Sequence, residues 1–191
     1  MNFTETALKG SYLIDLYPFQ DDRGWFARTY CSDEFAKIGH HKEWVQINHS
    51  YTQKKGSLRG MHYQGPPNSE IKLLRCIAGV VYDVIIDIRE GSPTFLKWFG
   101  TELSAANKRM LYIPQGFAHG FQTLTENCEL IYHHSSSYVP GVEGGIRYND
   151  PLINIHWILP VTQLSDRDRD HPFLTESFKG IKIEPDEMPF L

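Results

Sequence analysis

Runs of β-branched and aromatic residues, many alternating with polar positions, dominate the chain and predict strands. The clearest run spans 79–89, is rich in Val and Ile, and ends at a Gly-Ser-Pro turn signal. Its alternation places Asp83 and Asp87 on one face of the predicted strand. Further strands are predicted at 72–77, 110–113 and 129–133. Because turn signals recur roughly every eight to twelve residues, the pattern indicates an all-β sandwich or barrel.

Helix patterns are few and short. One helix is predicted at 32–38, with Ser32 as its N-cap, an acidic first turn and Gly39 at its end. A single helical turn is predicted at 104–108. The chain is therefore expected to be almost entirely β, with a few short helices.

The domain organisation predicted for the 191 residues is a single domain, 1–191, large enough to bury a core. Its core is placed at about 10–174 and a C-terminal tail at 175–191, since no repeat or linker interrupts the pattern. The end of that tail, 181–191, contains Pro and acidic residues and is expected to be loosely ordered.

The charge and cysteine content narrow the class of protein. A net charge of -4 argues against nucleic acid as a partner, although it allows a local cationic pocket. Cys31, Cys76 and Cys128 are widely spaced and are interpreted as free thiols in a reducing compartment. No signal peptide and no membrane-spanning run is recognised, so we expect a cytoplasmic protein without a membrane partner.

Two short runs carry the candidate chemistry. LRGMHYQ at 58–64 contains His62, and PQGFAHGF at 114–121 contains His119. Histidine exchanges protons near neutral pH, and the nearby Lys72 can hold negative charge. Together these residues indicate proton transfer on an anionic substrate.

The role of His62 depends on its neighbours. A strand over 58–64 would put it on the same face as Gly60, whose missing side chain would leave room for a ligand. A core histidine bonded to a backbone carbonyl is an equally weighted alternative.

Three other residues each have a chemical and a structural interpretation. Lys72 could stabilise an enolate oxygen, or it could be a solvated lysine at a strand end. Asp168 could orient His62, or it could belong to an exposed charge run at 164–170. Tyr132 could return a proton to a substrate, or it could simply pack and make one hydrogen bond.

A metal site is the main alternative chemistry. The glycine, histidine and glutamate spacing resembles the two metal-binding motifs of the cupins, but Gln64 stands where the first motif has a second histidine. That change removes an imidazole ligand. His62, Glu70 and His119 could still form a three-ligand set for a metal-dependent cupin enzyme.

A closer resemblance to one protein family rests on many short sequence runs that occur in the same order as in that family. They include FQDDRGWF, VQINHS, GSLRGMHYQ, VYDVIIDIR, LSAANKRMLYIPQGFAHGF, IYHHSSSYVPGVEGGIRYNDP and LSDRD. With these runs the chain resembles the dTDP-4-dehydrorhamnose 3,5-epimerase family. The resemblance implies a cupin-type double-stranded β-helix (jelly roll) without metal or cofactor, and a homodimer with exchanged N-terminal strands. It also implies an isomerase of dTDP-rhamnose biosynthesis, which supplies cell-surface polysaccharide.

The implied reaction inverts C3, C5 or both in a nucleoside-diphosphate 4-keto-6-deoxy sugar, through an enolate. The substrate favoured by the resemblance is dTDP-4-dehydro-6-deoxy-D-glucose and the product dTDP-4-dehydro-L-rhamnose. The implied catalytic residues are His62 as base, Asp168 as its partner, Lys72 at the enolate and Tyr132 as acid. The implied substrate-binding residues are Arg23, Phe26, Arg28, Gln46, Asn48, Arg59, His119, Tyr138, Glu143 and Arg167.

Departures from the family pattern concern the nucleotide more than the sugar. Arg28 stands where the family has a glutamate that contacts thymine, and an arginine can only donate hydrogen bonds. Ile47 interrupts the usual QDN, Glu70 replaces a glutamine, and Arg167 replaces a lysine. A different nucleotide and inversion of one centre only are therefore alternatives. A non-catalytic sugar-nucleotide binding protein is a further alternative, but its signature would be a broken catalytic set, which this sequence does not show.

Overall fold

The computed structural model describes residues 1–183 and is built mainly from strands. The strands, numbered along the chain, are β1 (Asn2–Glu5), β2 (Tyr12–Asp15), β3 (Phe19–Asp21), β4 (Gly24–Phe26), β5 (Gln46–Thr52), β6 (Leu58–Gln64), β7 (Lys72–Ala78), β8 (Val80–Asp87), β9 (Trp98–Ser104), β10 (Met110–Ile113), β11 (Phe117–Thr123), β12 (Cys128–His134) and β13 (Glu143–Gly145). The helices are α1 (Ser32–Phe35), continued by a 3-10 turn at Ala36–Ile38, and α2 (Asp166–Asp170). The predicted strands are thus confirmed to within a few residues at each end.

Two antiparallel sheets pack face to face. One contains six strands in the order β1-β2-β10-β7-β12-β5, and the other contains five in the order β13-β6-β11-β8-β9. A separate hairpin is formed by β3 and β4. Except for the consecutive pairs β1–β2 and β8–β9, neighbouring strands in each sheet are not consecutive in sequence, as the crossed strand order of a jelly roll requires. The predicted fold class is confirmed.

The core between the sheets follows from strand alternation. Leu74 and Leu130 from the six-stranded sheet meet Val81, Ile85 and Phe121 from the five-stranded sheet in one buried cluster. The intervening residues of β8 point to the outer face and join a second cluster. Full burial of each such side chain contributes roughly 1.5–3 kcal/mol, so this alternation fixes which polar residues also face inward.

The helical segments are close to expectation, with one correction. Residue Gly39 ends the first of them in the left-handed region, at φ 71°. The N-cap is Cys31 rather than Ser32, and no side chain bonds the first turn there. At 104–108 the chain forms one turn, closed by a bond from the Lys108 N–H to the Ser104 carbonyl. No helix within 1–183 is long and apolar enough to cross a membrane.

The described part of the C-terminal tail is packed. The Ile181 N–H donates to the Ile88 carbonyl at 2.7 Å, and Ile183 is buried. The expectation of loose order is therefore wrong for 181–183, because two apolar side chains give this segment a surface to bury. Residues 184–191 lie outside the described chain.

Candidate active site

A cavity of about 750 Å³ opens between the two sheets, beside α2. Its walls are formed by β5, β7 and β12 on one side and by β6 and β11 on the other. The predicted site residues that line it are His62, Asp168, Lys72, Tyr132, Gln46, Asn48, Arg59, His119, Tyr138, Glu143 and Arg167.

Strand register brings the chemical groups into this cavity. His62 on β6 is paired directly with His119 on β11, so the two imidazoles share one wall. On the opposite sheet, His134 of β12 is paired with Lys72 of β7. Tyr132 lies two residues from His134 and therefore faces the same way.

His62 and Asp168 form a hydrogen-bonded pair although 106 residues separate them. The His62 Nε2–H donates to Asp168 Oδ1 at 2.6 Å, which leaves the Nδ1 lone pair of the ring to accept a proton. The Ser165 hydroxyl caps α2 by accepting from the Asp168 N–H at 3.1 Å. Burial alone would raise the pKa of Asp168, but the bonds from His62, Gly60 and Ser165 hold it below its ordinary value.

Gly60 has a different use from the one predicted. Its N–H donates to Asp168 Oδ2 at 3.1 Å, from a backbone with φ 120°. A Cβ at this position would strike the backbone of Gly120 and the carbonyl of His119. The space beside His62 is therefore filled by β11 and not by a ligand, and the glycine permits the close approach of two strands.

A second histidine and carboxylate pair lies in the same cavity. The His119 Nε2–H is 3.0 Å from both oxygens of Asp83, which is fully buried. Burial raises the pKa of Asp83 despite the opposing effect of His119. Asp87, on the same face of β8, has a structural use: it accepts hydrogen bonds from Arg89, Ser92 and Thr94 and holds the following turn.

A third pair surrounds Lys72. Glu70 accepts from the Lys72 ammonium at 3.0 Å and from His134 Nδ1–H at 2.6 Å. His134 Nε2 in turn accepts from the amide of Asn48 at 3.3 Å, and Asn48 accepts from Gln46 at 3.1 Å. The pKa of Glu70 is lowered: burial opposes ionisation, but His134 and Lys72 outweigh it.

This third pair was missed by the sequence analysis, which considered Glu70 only as a metal ligand and as a replacement for the family's glutamine. A signal was present, because His134 shares its strand face with Tyr132 and Glu70 shares a face with Lys72. The buried lysine therefore has a fixed partner instead of reaching to solvent, and its ammonium is held at the cavity wall.

Tyr132 supplies the remaining polar group. Its hydroxyl lies 3.0 Å from the Ser50 hydroxyl, and its ring lies 6.3 Å from that of His119. Burial is the largest cause of its raised pKa. The phenol therefore keeps its proton at neutral pH and can donate it.

The rim of the cavity carries the longer side chains. Glu143 accepts from the Tyr138 hydroxyl at 3.0 Å and from Arg167 at 2.8 Å. Arg59 donates to the Thr52 hydroxyl and to the Tyr51 carbonyl, and it has no carboxylate partner within 1–183. Its guanidinium charge is therefore available for an anion.

Comparison with known proteins places this chain in a family. Residues 5–176 match the family model described as dTDP-4-dehydrorhamnose 3,5-epimerase. The chain is 44% identical over 169 residues to the dTDP-4-dehydrorhamnose 3,5-epimerase of Shigella flexneri, covering 88% of this chain and 93% of that protein. It belongs to the dTDP-4-dehydrorhamnose 3,5-epimerase family.

Solved structures agree with this membership of the epimerase family. The dTDP-6-deoxy-D-glucose-3,5-epimerase of Legionella pneumophila, in complex with dTDP-4-keto-L-rhamnose, matches with a TM-score of 0.88 and 37% identity, over 96% of this chain and 98% of that one. A 3'-monoepimerase from Streptomyces bikiniensis, in complex with dTDP-quinovose, matches at 0.82 and 30%, over 88% and 85%. The cupin-type jelly roll is common to the family.

Three predicted substrate-binding residues of this epimerase-family chain lie outside the cavity. Arg23 and Phe26 are on the β3–β4 hairpin, where Arg23 pairs with Asp21 at 2.6 Å. Arg28 follows the hairpin and pairs with Glu34 at 3.0 Å. Within one chain, the structure does not bring these residues to His62.

The predicted metal set is not assembled either. Each candidate ligand has a different partner: His62 binds Asp168, Glu70 binds His134 and Lys72, and His119 binds Asp83. Among residues 1–183, their ligand atoms do not form a group within 4.8 Å. The set of His62, Glu70 and His119 is therefore wrong as a metal centre.

Proposed function

We propose that this protein is a carbohydrate 3,5-epimerase that converts dTDP-4-dehydro-6-deoxy-D-glucose to dTDP-4-dehydro-L-rhamnose by proton transfer. The observation that carries the proposal is the pairing of His62 with Asp168 on one wall of a cavity whose opposite wall holds Lys72 and Tyr132. A base and an acid on opposite walls can act on the two faces of one carbon.

The reaction begins with removal of a proton next to a ketone. The 4-keto group acidifies the hydrogens at C3 and C5, and His62 Nδ1 takes one of them while Asp168 stabilises the imidazolium. The electron pair moves onto the keto oxygen, where the Lys72 ammonium donates to the developing enolate. Tyr132 then gives its proton to the other face of the carbon as the ketone re-forms, after which His62 releases its proton to solvent and Tyr132 regains one. Each centre is inverted by the same exchange.

The diphosphate and the nucleobase of the substrate need separate binding groups. Arg59 supports a diphosphate site, because forked guanidinium donors match phosphate oxygens and no carboxylate in the described chain neutralises it. Arg167 adds a second cation once Glu143 shares it with the ligand. Tyr138, half exposed at the rim, offers an aromatic face to the nucleobase.

The thymine nucleotide is supported by the relatives, one of which is complexed with dTDP-4-keto-L-rhamnose. Arg28 must contact the thymine base differently from the glutamate that the family usually has at this position. Since pyrimidine carbonyls accept hydrogen bonds, its guanidinium would donate to one of them.

We also propose a homodimer in which one subunit's hairpin reaches the partner's cavity. Phe19, Trp25 and Phe26 on the β3–β4 hairpin are exposed in the single chain. Such an aromatic cluster gains most from burial against another surface. A cytoplasmic location and a role in supplying rhamnose for cell-surface polysaccharide remain predictions.

Isotope exchange tests the proposed reaction. The protein is incubated in deuterium oxide with dTDP-4-dehydro-6-deoxy-D-glucose, and deuterium at C3 and C5 is measured by NMR. We expect incorporation at both carbons by the wild type and none above background by a His62→Ala variant. Exchange at C3 alone would identify a monoepimerase, and undiminished exchange in the variant would exclude His62 as the base.

A further inference from the structure

His171 lies directly after α2 and next to the His62–Asp168 pair. Its ring centroid is 6.2 Å from that of His62, and its Nε2 is buried without a hydrogen-bond partner in the described chain. Gly145, paired with His62 across β13 and β6, makes room for it, because a Cβ there would strike the His171 ring. A buried ring nitrogen without a partner is costly unless a ligand uses it.

Three ligand atoms converge at this point. One atom each from His62, Asp168 and His171 lies within 4.8 Å of the others. Two imidazoles and one carboxylate suit zinc and similar divalent transition ions. Tetrahedral zinc spaces such atoms about 3.4 Å apart at its usual bond lengths, so modest side-chain rotations complete the site.

We propose that Zn²⁺, or a divalent ion of similar preference, binds His62, Asp168 and His171 and reversibly switches off the epimerase. The site is distinct from the metal centre of metal-dependent cupins, because it uses neither Glu70 nor His119. The ion is an inhibitor here and takes no part in the reaction.

The tautomer of His62 explains the inhibition. Without metal, Nε2 carries the proton toward Asp168 and Nδ1 is free to accept one. A metal on Nε2 displaces that proton, so the neutral ring carries its hydrogen on Nδ1. The nitrogen that faces the substrate can then no longer act as a base.

The surrounding groups support a bound cation. Gly60 N–H holds the second oxygen of Asp168, which fixes the carboxylate as a ligand would require. Arg167 is the nearby like charge, but its guanidinium is paired with Glu143 at 2.8 Å. The site therefore contains one anionic ligand, Asp168, and the charges of the neighbouring Arg167 and Glu143 cancel each other.

Metal binding is tested on the protein without substrate. Co²⁺ absorption and Zn²⁺ calorimetry are measured for the wild type, for His171→Ala and for His171→Phe, which keeps an aromatic ring without a ligand nitrogen. His49→Ala is the control, because His49 forms an exposed pair with Glu129 away from the site. We expect one ion per wild-type and His49→Ala chain, and at least about tenfold weaker binding in both His171 variants.

Deuterium exchange then tests the inhibition, which rests on the proposed base role of His62. We expect Zn²⁺ to abolish exchange in the wild type, a chelator to restore it, and the His171 variants to keep full activity and resist Zn²⁺. Equal metal affinity in the wild type and both His171 variants would overturn the site. Tight binding with unchanged exchange would overturn the inhibition, while absence of exchange before any metal is added would contradict the proposed function instead.

Discussion

The predicted site is divided between the cavity, where its residues are buried, and the β3–β4 hairpin, where they are exposed. In the cavity, Lys72 and Asp168 are buried, and each has its position fixed by hydrogen bonds. On the hairpin, the Arg23 side chain is 89% exposed and Phe26 is 73% exposed. A single chain therefore brings the predicted proton-transfer groups together but leaves part of the predicted nucleotide-binding set in solvent.

The difference shows which groups need preorganisation. A base or an enolate donor acts only when it is held in place, and the free energy needed to bury it is offset when the protein folds. Nucleotide contacts can form when two surfaces meet, and burying Phe26 then contributes roughly 1.5–3 kcal/mol. Chemistry is thus expected to be sensitive to changes in the cavity, and affinity to changes on the hairpin.

The largest effect is expected from His62→Ala. Loss of a positioned general base removes roughly 10²–10⁴-fold in rate, so kcat should fall to the bottom of the measurable range. The variant also leaves the buried Asp168 without its His62 hydrogen bond, so the melting temperature should fall by roughly 2–4 °C for each kcal/mol lost. Steady-state rates and thermal unfolding of the same preparation measure both. A fall in kcat below tenfold would remove His62 from the reaction.

The second-largest fall in kcat is expected from Lys72→Met, which keeps the side-chain length and removes the charge. Losing one donor to a developing oxyanion costs roughly 10²–10³ in kcat. Lys72→Arg serves as the control that keeps the charge but changes the geometry. If Lys72 only binds the ground state, KM will rise while kcat stays unchanged, and the enolate role is then wrong.

Particular elements show what the sequence could and could not predict. The predicted strands at 79–89 and 110–113 agree with the structure because β-branched and aromatic periodicity is local. The contact between His62 and Asp168 joins residues 106 apart, so only the resemblance indicated it. The pair of His134 and Glu70 depends on which strands are neighbours, and periodicity alone does not determine that.

A smaller effect is expected on stability from Asp168→Asn. The pKa of Asp168 is lowered in the folded protein, so its ionised form stabilises the fold above the ordinary value of 3.8, and this stabilisation is lost as pH falls through the folded pKa. Loss of its charged hydrogen bonds should cost about 1.5–3 kcal/mol near neutral pH. Urea unfolding at several pH values should show the gap between variant and wild type closing below pH 4 or so.

Asp21→Asn on the hairpin is the matched control for that measurement. Its pKa is also lowered, by Arg23, but both side chains are exposed and solvent screens the pair. No measurable change in unfolding free energy is expected at any pH. Equal losses at both aspartates would contradict the distinction between a preorganised cavity and a solvated hairpin.

The smallest effect, and the sharpest test of the comparison, is expected from a double variant of Arg23→Ala and Phe26→Ala. If the hairpin only binds nucleotide, KM should rise about tenfold, equivalent to about 1.4 kcal/mol, with kcat nearly unchanged. A second experiment tests which subunit supplies the hairpin to each cavity. This variant is mixed with His62→Ala, and the subunits are allowed to exchange. In a dimer with exchanged hairpins, one site of each mixed pair combines an intact cavity with an intact hairpin.

Random exchange of equal amounts should therefore give about a quarter of all sites with wild-type KM. A hairpin that serves its own chain predicts a different result, because each mixed pair then holds one broken cavity and one broken hairpin. KM would stay raised at every mixing ratio. The mixing curve thus separates a site shared between subunits from one that the chain completes alone by moving its hairpin.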